Sequence, residues 1–355
     1  MTTGQLLQRR LQSQRLATTT FTDPADVVRW HGAVQAQDYL GALWAVGLRS
    51  RGATEQSVEQ ALASRAFVRT WPMRGTLHFV AVADVRWMLA LLASRVAAAT
   101  APMLARRFGL DARVVGRAGE IAGRALEGGR RLTRDGLYRE WDRARISSRG
   151  RGPHLLCRLA QDGVLCFGLR EGKQQTFVLL DDWVPAAPPL ARDEALARLA
   201  RRYLASHGPA TAHDLAWWSG LTVGDATRAI HAVRGELESV EMEGRLYWRP
   251  ASTSAAGRVS RAFLLPAWDE YTVAYRDRSH LLAAVHARRA ERMGLLSPVV
   301  VVNGRVVGRW TRTLGQERVA FTWELFAELP PAARRSVAAA ARRYAAFLGL
   351  RPDAS

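Results

Sequence analysis

Two glutamines, Gln35 and Gln37, stand two residues apart in the otherwise largely apolar stretch HGAVQAQDYLGALW at residues 31–44. An amide does not ionise near neutral pH, so neither residue is a strong acid or base. Each offers a carbonyl acceptor and an NH2 donor. A spacing of two puts both side chains on one face only where the backbone is extended; on a helix they diverge by roughly 200°. Asp38 and Tyr39 follow, so an extended or turn-like exit from a preceding helix is one arrangement. Solvated amides at a helix C-terminus are the other. The candidate acids are Asp269 and Glu270 in PAWDEY, which serve equally as a helix cap or as partners of Arg276 or Arg278.

Other reaction types lack their residues. Lys173 is the only lysine, which leaves little for Schiff-base chemistry. Cys157 and Cys166 cannot complete a four-ligand zinc site alone, and His154, three residues before Cys157, has no matching second pair. The two cysteines read as small buried hydrophobes in a reducing compartment. No GxSxG elbow, P-loop, dinucleotide glycine fingerprint or HExxH motif occurs. The expectation is a protein without metal or cofactor.

The elements that must position these residues recur as helix, second helix, then two strands around a tight turn. In the middle copy Thr133 caps a helix through RDGLYREW, a second helix through RGPHLLCRLAQD ends at Gly163, and VLCFGL and QTFVLL flank the turn REGK. In the third copy Thr211 and Thr222 cap helices on either side of Ser219-Gly220, and LESVEM pairs with RLYWRP around Glu243-Gly244. The first copy is looser. Asp23-Pro24 opens a helix running towards Gln35, Thr54 opens another through Arg65, and FVRTW and TLHFV flank PMRG. Helix, turn, helix, hairpin is the layout of a winged helix-turn-helix. A further hairpin, SPVVVV and RVVGRW, surrounds Asn303-Gly304, and a helix covers residues 332–348.

The chain has 355 residues, 48% of them hydrophobic, which suffices for two or three domains or one elongated body of small units. Its net charge is +19 and its pI near 11.3, which points to a polyanionic partner. Nearly all the cations are arginine, which grips phosphate bidentately and favours nucleic acid over a membrane patch. The first fifteen residues lack the apolar run of a signal peptide. Residues 80–104 are apolar but carry Asp84, Arg86 and Arg95, and read as an amphipathic helix rather than a bilayer span. A cytoplasmic, nucleoid-associated protein is expected.

Five segments occur in one order: QAQDYLGALW, RTWPMRGTLHFV, GPATAHDLAWWSGL, LLPAWDEYTVAYRDRS and VVVNGRVVGRW. Together, over nearly the whole chain, they resemble the AlkZ-like family of bacterial winged-helix DNA glycosylases. The resemblance implies an α+β, mostly helical fold of three tandem winged helices forming a curved DNA-binding body. The expected divisions are 1–126 with the Gln-x-Gln motif, 127–190, 191–260, and 261–355 as a hairpin and helix. It implies a monofunctional glycosylase for alkylated purines, chiefly N7-alkylguanine. Bulky adducts, interstrand cross-links and self-resistance to a genotoxic metabolite lie within the family's range. Catalysis would fall to Gln35 and Gln37, the partner would be double-stranded DNA, and the protein would be a monomer. Around the pair the reading places Trp71, Arg74, Gly75, Thr76 and His78 at the first hairpin, Asp269, Arg276 and Arg278, and Arg305 and Arg309 on a stiff basic ribbon projecting towards a groove; a sheet strand with solvated arginines is the alternative for the last two, and a satisfied structural histidine for His78. Trp71 and Trp268 could stack on bases. The competing readings are a winged-helix transcription regulator and a non-catalytic damage-binding protein.

Overall fold

The computed structural model describes residues 1–252, 261–286 and 296–353. The fold is α+β and about half helical, so the helical share is smaller than expected. The chain forms two compact units. One comprises Met1–Gln60 with Leu196–Ser355, the other Ala61–Ala195.

In the second unit, strands β2 (Phe67–Met73) and β3 (Thr76–Ala81) form a hairpin. Arg74 and Gly75 both take positive φ, 55° and 71°, as a two-residue turn between right-twisted strands requires. The sheet continues in the order β3-β2-β5-β6-β4, with β4 at Leu132–Thr133, β5 at Leu165–Phe167 and β6 at Thr176–Leu179. Thr133 caps the helix Arg134–Arg143 through its side chain, as expected. The helix Gly152–Gln161 precedes β5. One hydrophobic cluster holds Leu77, Leu104, Ala118, Trp141, Leu155 and Phe177 together. The division expected at residues 126/127 runs through this cluster, because side chains from both sides of it share one core. The run Val82–Phe108 is helical throughout and, by length and composition, apolar enough to cross a membrane. Val85, Met88, Leu92 and Ala97 along it are buried, the pattern of a core helix.

In the first unit the helix Pro24–His31 is capped by Asp23 and ends at Gly32, with φ 78°. It stops short of Gln35, because Gly32 turns the chain into the extended strand β1 (Ala33–Gln35). The helix Tyr39–Gly47 follows. The order expected for residues 211–250 is present. Helices Ala212–Ser219 and Val223–Ala232, capped by Thr211 and Thr222, are separated by Gly220 in the left-handed region. Strands β7 (Leu237–Met242) and β8 (Arg245–Pro250) then pair in full register. The last sheet runs β13-β12-β11-β10-β9, from β9 (Ala262–Leu265), β10 (Val299–Val302), β11 (Arg305–Leu314), β12 (Arg318–Leu325) and β13 (Arg351–Pro352), and is followed in chain order by helix Pro331–Phe347 before β13. The Asn303-Gly304 hairpin is therefore no projecting ribbon. β11 is an interior strand between β10 and β12, and a Cβ on Gly304 would stand 2.9 Å from Leu7 Cβ in the helix Thr3–Ser13. The expected boundary at 260/261 adjoins residues outside those described.

Candidate active site

Gln35 ends β1 and is 9% exposed, whereas Gln37, past the strand in a bend, is exposed. The extended exit is present, but it lasts only to Gln35, so the two amides meet different surroundings. Ala36 between them is fully buried.

The backbone N–H of Gln35 donates to Glu270 Oε1 at 2.8 Å. Glu270 is 1% exposed, and its other oxygen accepts the indole N–H of Trp218 at 2.9 Å and faces His207 Nε2 at 3.3 Å. His207 stacks on Tyr203, with ring centroids 4.8 Å apart, and lies edge-on to His31. Three residues at least 52 positions from it in sequence, Gln35, His207 and Trp218, thus converge on one carboxyl group. Burying such a group is costly unless its oxygens are hydrogen-bonded, and here both are.

A second buried carboxylate sits beside it. Asp269 accepts both terminal nitrogens of Arg49 at 2.8 Å and caps the backbone of Tyr271 at 2.9 Å. Arg49 also donates to Gln14 and to the Ala45 carbonyl, which satisfies its whole guanidinium. Asp269 therefore holds the frame rather than facing solvent, and its partner is Arg49, not Arg276 or Arg278. Gln14 in turn donates to Tyr275 Oη, which donates to the His207 carbonyl. Burial pushes the Tyr203, Tyr271 and Tyr275 phenols up, so they remain neutral donors. Burial, then the nearby Arg49 and His207, holds His31 well below the usual histidine range.

The remaining expected residues fall into separate settings. Arg276 is exposed and its N–H donates to Asp214, while the Arg278 guanidinium lies 5.3 Å from the Trp217 ring centre. Arg305 donates to the Leu282 carbonyl at 3.0 Å, and Arg309 pairs with Glu324 at 2.6 Å. Trp268 is half-buried, with φ 56°. In the other unit Arg74, Gly75, Thr76 and His78 share the β2–β3 hairpin. His78 is fully buried, with Nδ1 3.0 Å from the Thr76 carbonyl and Nε2 3.4 Å from the Arg74 guanidinium. Trp71 packs against Phe167, centroids 5.1 Å apart. Sequence reasoning did not single out Arg49, His207 or Trp218. None of the three carried a local signal, since the partners that bury them lie 52 to 220 residues away. Among the described residues no cluster of three metal-ligating side chains occurs.

A family model described as DNA glycosylase AlkZ-like matches residues 28–347. The chain belongs to the AlkZ-like DNA glycosylases. It is 32% identical over 321 residues to the interstrand DNA cross-link repair glycosylase of Streptomyces sahachiroi, an alignment covering 85% of each chain. The solved structure of the Streptomyces sahachiroi DNA glycosylase AlkZ superimposes with a TM-score of 0.81 at 27% identity, covering 99% of this chain and 98% of that one. An AlkZ-like glycosylase is a DNA-repair enzyme, and its substrate is DNA. The regulator and non-catalytic readings give way to the enzymatic one.

Proposed function

We propose that this AlkZ-like glycosylase excises N7-alkylated purines, chiefly N7-alkylguanine, from duplex DNA through a water held by Gln35 and Gln37. The observation that carries the reading is the anchoring of β1. Gln35 closes an extended strand, its backbone is tied to the buried Glu270, and Gln37 stands exposed two residues on. The helix-helix-hairpin segments are read as tandem winged helices presenting this strand to the duplex.

The chemistry suits amides. Alkylation at N7 places a positive charge on guanine, so the C1′–N9 bond breaks with the electron pair leaving on a neutral base. No strong acid is needed. The sugar becomes oxocarbenium-like, water adds to C1′, and its proton passes to solvent. Amide carbonyls accept hydrogen bonds from that water and present partial negative charge to the sugar. Unmodified purines, whose leaving group is not cationic, receive too little help to be released.

The test is release of N7-methylguanine from methylated duplex, followed by mass spectrometry. Wild-type protein releases the base. Gln35→Ala and Gln37→Ala lose release while keeping DNA affinity within a few-fold, because neutral amides contribute little to phosphate binding. A wild-type rate in either variant would refute the assignment. A second substrate is favoured by the name of the 32%-identical relative: a duplex carrying an interstrand cross-link. Conversion of that duplex to separable strands under denaturing electrophoresis is the expected outcome.

A further inference from the structure

The unit Ala61–Ala195 contains a cavity of about 490 Å³ that the glutamine chemistry does not use. This is within the range of small-molecule sites, roughly 300–1,000 Å³. Its walls are aromatic. Trp71 on β2 lies 5.1 Å from Phe167, and Phe167 lies 4.6 Å from Phe177. Tyr138, on the helix Arg134–Arg143, supplies another face and is itself stacked on Trp141.

Several features separate this cavity from an accidental gap in the core. The Tyr138 hydroxyl is buried and has no hydrogen-bond partner among the described residues, a cost a folded protein rarely leaves unmet. Room for the Tyr138 ring depends on Gly152, where a Cβ would stand 2.3 Å from Tyr138 Cζ. Arg69, 5% exposed, lies 4.6 Å from the Phe167 ring centre and donates to Gln175 Oε1 at 3.1 Å. That contact holds the amide of Gln175 at the cavity wall, next to that of Gln174. At the rim stand Arg134 and Lys173, the chain's only lysine. Arg134 is shared with Asp135 at 3.6 Å, while Lys173 makes no ion pair among the described residues.

Flat aromatic walls, amide edges for hydrogen bonding and cations at the mouth match one ligand chemistry, a purine or pyrimidine ring carrying a phosphate. We infer that the Trp71–Tyr138 cavity is a nucleotide-binding site that takes one unpaired nucleotide of the DNA on which this glycosylase acts. The ring occupies the aromatic walls and its phosphate meets Lys173 and Arg134. The inference rests on the chain being a DNA glycosylase and not on the role of the glutamines. Its test therefore reads binding, not excision.

Fluorescence anisotropy would compare two labelled duplexes, one fully paired and one with a single unpaired adenosine. Wild-type protein is expected to bind the bulged duplex on the order of tenfold more tightly, the scale of one base–aromatic stack. Trp71→Ala abolishes that preference, while Trp71→Phe retains most of it. Tyr138→Phe, which removes only the unpartnered hydroxyl, reduces the preference without lowering the melting temperature. A third arm adds AMP. Saturable AMP binding that disappears in Trp71→Ala, with no preference for the bulge, would support the nucleotide chemistry and assign a free nucleotide as the source. If Trp71→Ala misfolds, Lys173→Ala and Tyr138→Phe carry the test. Equal affinity for both duplexes in wild type, together with no AMP binding, would overturn the proposal.

Discussion

Replacing Glu270 by glutamine tests whether the buried carboxyl group positions the candidate catalytic strand. The two side chains have the same shape, so packing is preserved. One carboxyl oxygen accepts the Gln35 N–H at 2.8 Å, and the other accepts the Trp218 N–H at 2.9 Å. An amide has only one oxygen. If it faces Gln35, the NH2 opposes the Trp218 donor; if it faces Trp218, the NH2 opposes the Gln35 backbone. Either way one buried donor loses its acceptor, at a cost of about 1–3 kcal/mol. About 2 kcal/mol spent on displacing β1 corresponds to a slowing of roughly thirtyfold. The assay is single-turnover release of N7-methylguanine at saturating protein, with DNA affinity and urea unfolding measured alongside. We expect stability to fall by about 2 kcal/mol, release to slow by up to roughly thirtyfold and affinity to hold. Gln35→Ala keeps the backbone bond to Glu270 and should therefore retain stability while losing release. Wild-type release by Glu270→Gln beside an inactive Gln35→Ala would refute the positioning argument and leave the glutamine assignment standing. An active Gln35→Ala would instead refute the assignment itself.

Asp269→Ala strands the buried Arg49 guanidinium and removes the cap on Tyr271; urea unfolding should show a loss of about 3–5 kcal/mol. His31 is held neutral in the folded protein, its value depressed by burial, so the unfolded chain takes up a proton that the native state refuses. The stability it contributes is whole above an unfolded value of about 6.5 and is lost as pH falls below it, by up to roughly 2 kcal/mol at pH 5. Unfolding curves at pH 7 and pH 5 should show this loss, and His31→Phe should flatten it. Burial pushes the Cys157 and Cys166 thiols up to about 11 and about 12. At pH 8 the thiolate fraction of the more acidic one is then on the order of one part in a thousand, and Ellman's reagent should label native protein far more slowly than urea-denatured protein.

Local signals in the chain were reliable where a short-range rule governs the outcome. Thr133, Thr211 and Thr222 cap the helices their positions indicated, because an N-cap depends on a side chain and an N–H three residues on. Glu243-Gly244 and Asn303-Gly304 turn as expected, because a two-residue hairpin needs positive φ at both positions. The spacing of Gln35 and Gln37 left an extended exit and a helix end both open; Gly32 decides it by ending the helix at His31, so the strand Ala33–Gln35 is extended.

The family, the Gln-x-Gln motif and the excess of arginine are properties of the sequence by itself. What surrounds them is not. No local rule says that Glu270 reaches Gln35 across 235 positions, or that Asp269 belongs to Arg49 rather than to the arginines beside it. The hairpin at Asn303-Gly304 forms as expected, and of the two readings open to it, a projecting ribbon or a strand within a sheet, the structure takes the sheet strand. Turn geometry is set by four residues, whereas whether a strand lies at the edge or in the interior of a sheet is set by which distant strands pair with it. Capping and turn chemistry act within one turn of chain and survive in the sequence. Burial of a charge is decided only when segments hundreds of residues apart close around it and supply the hydrogen bonds that water would otherwise have made.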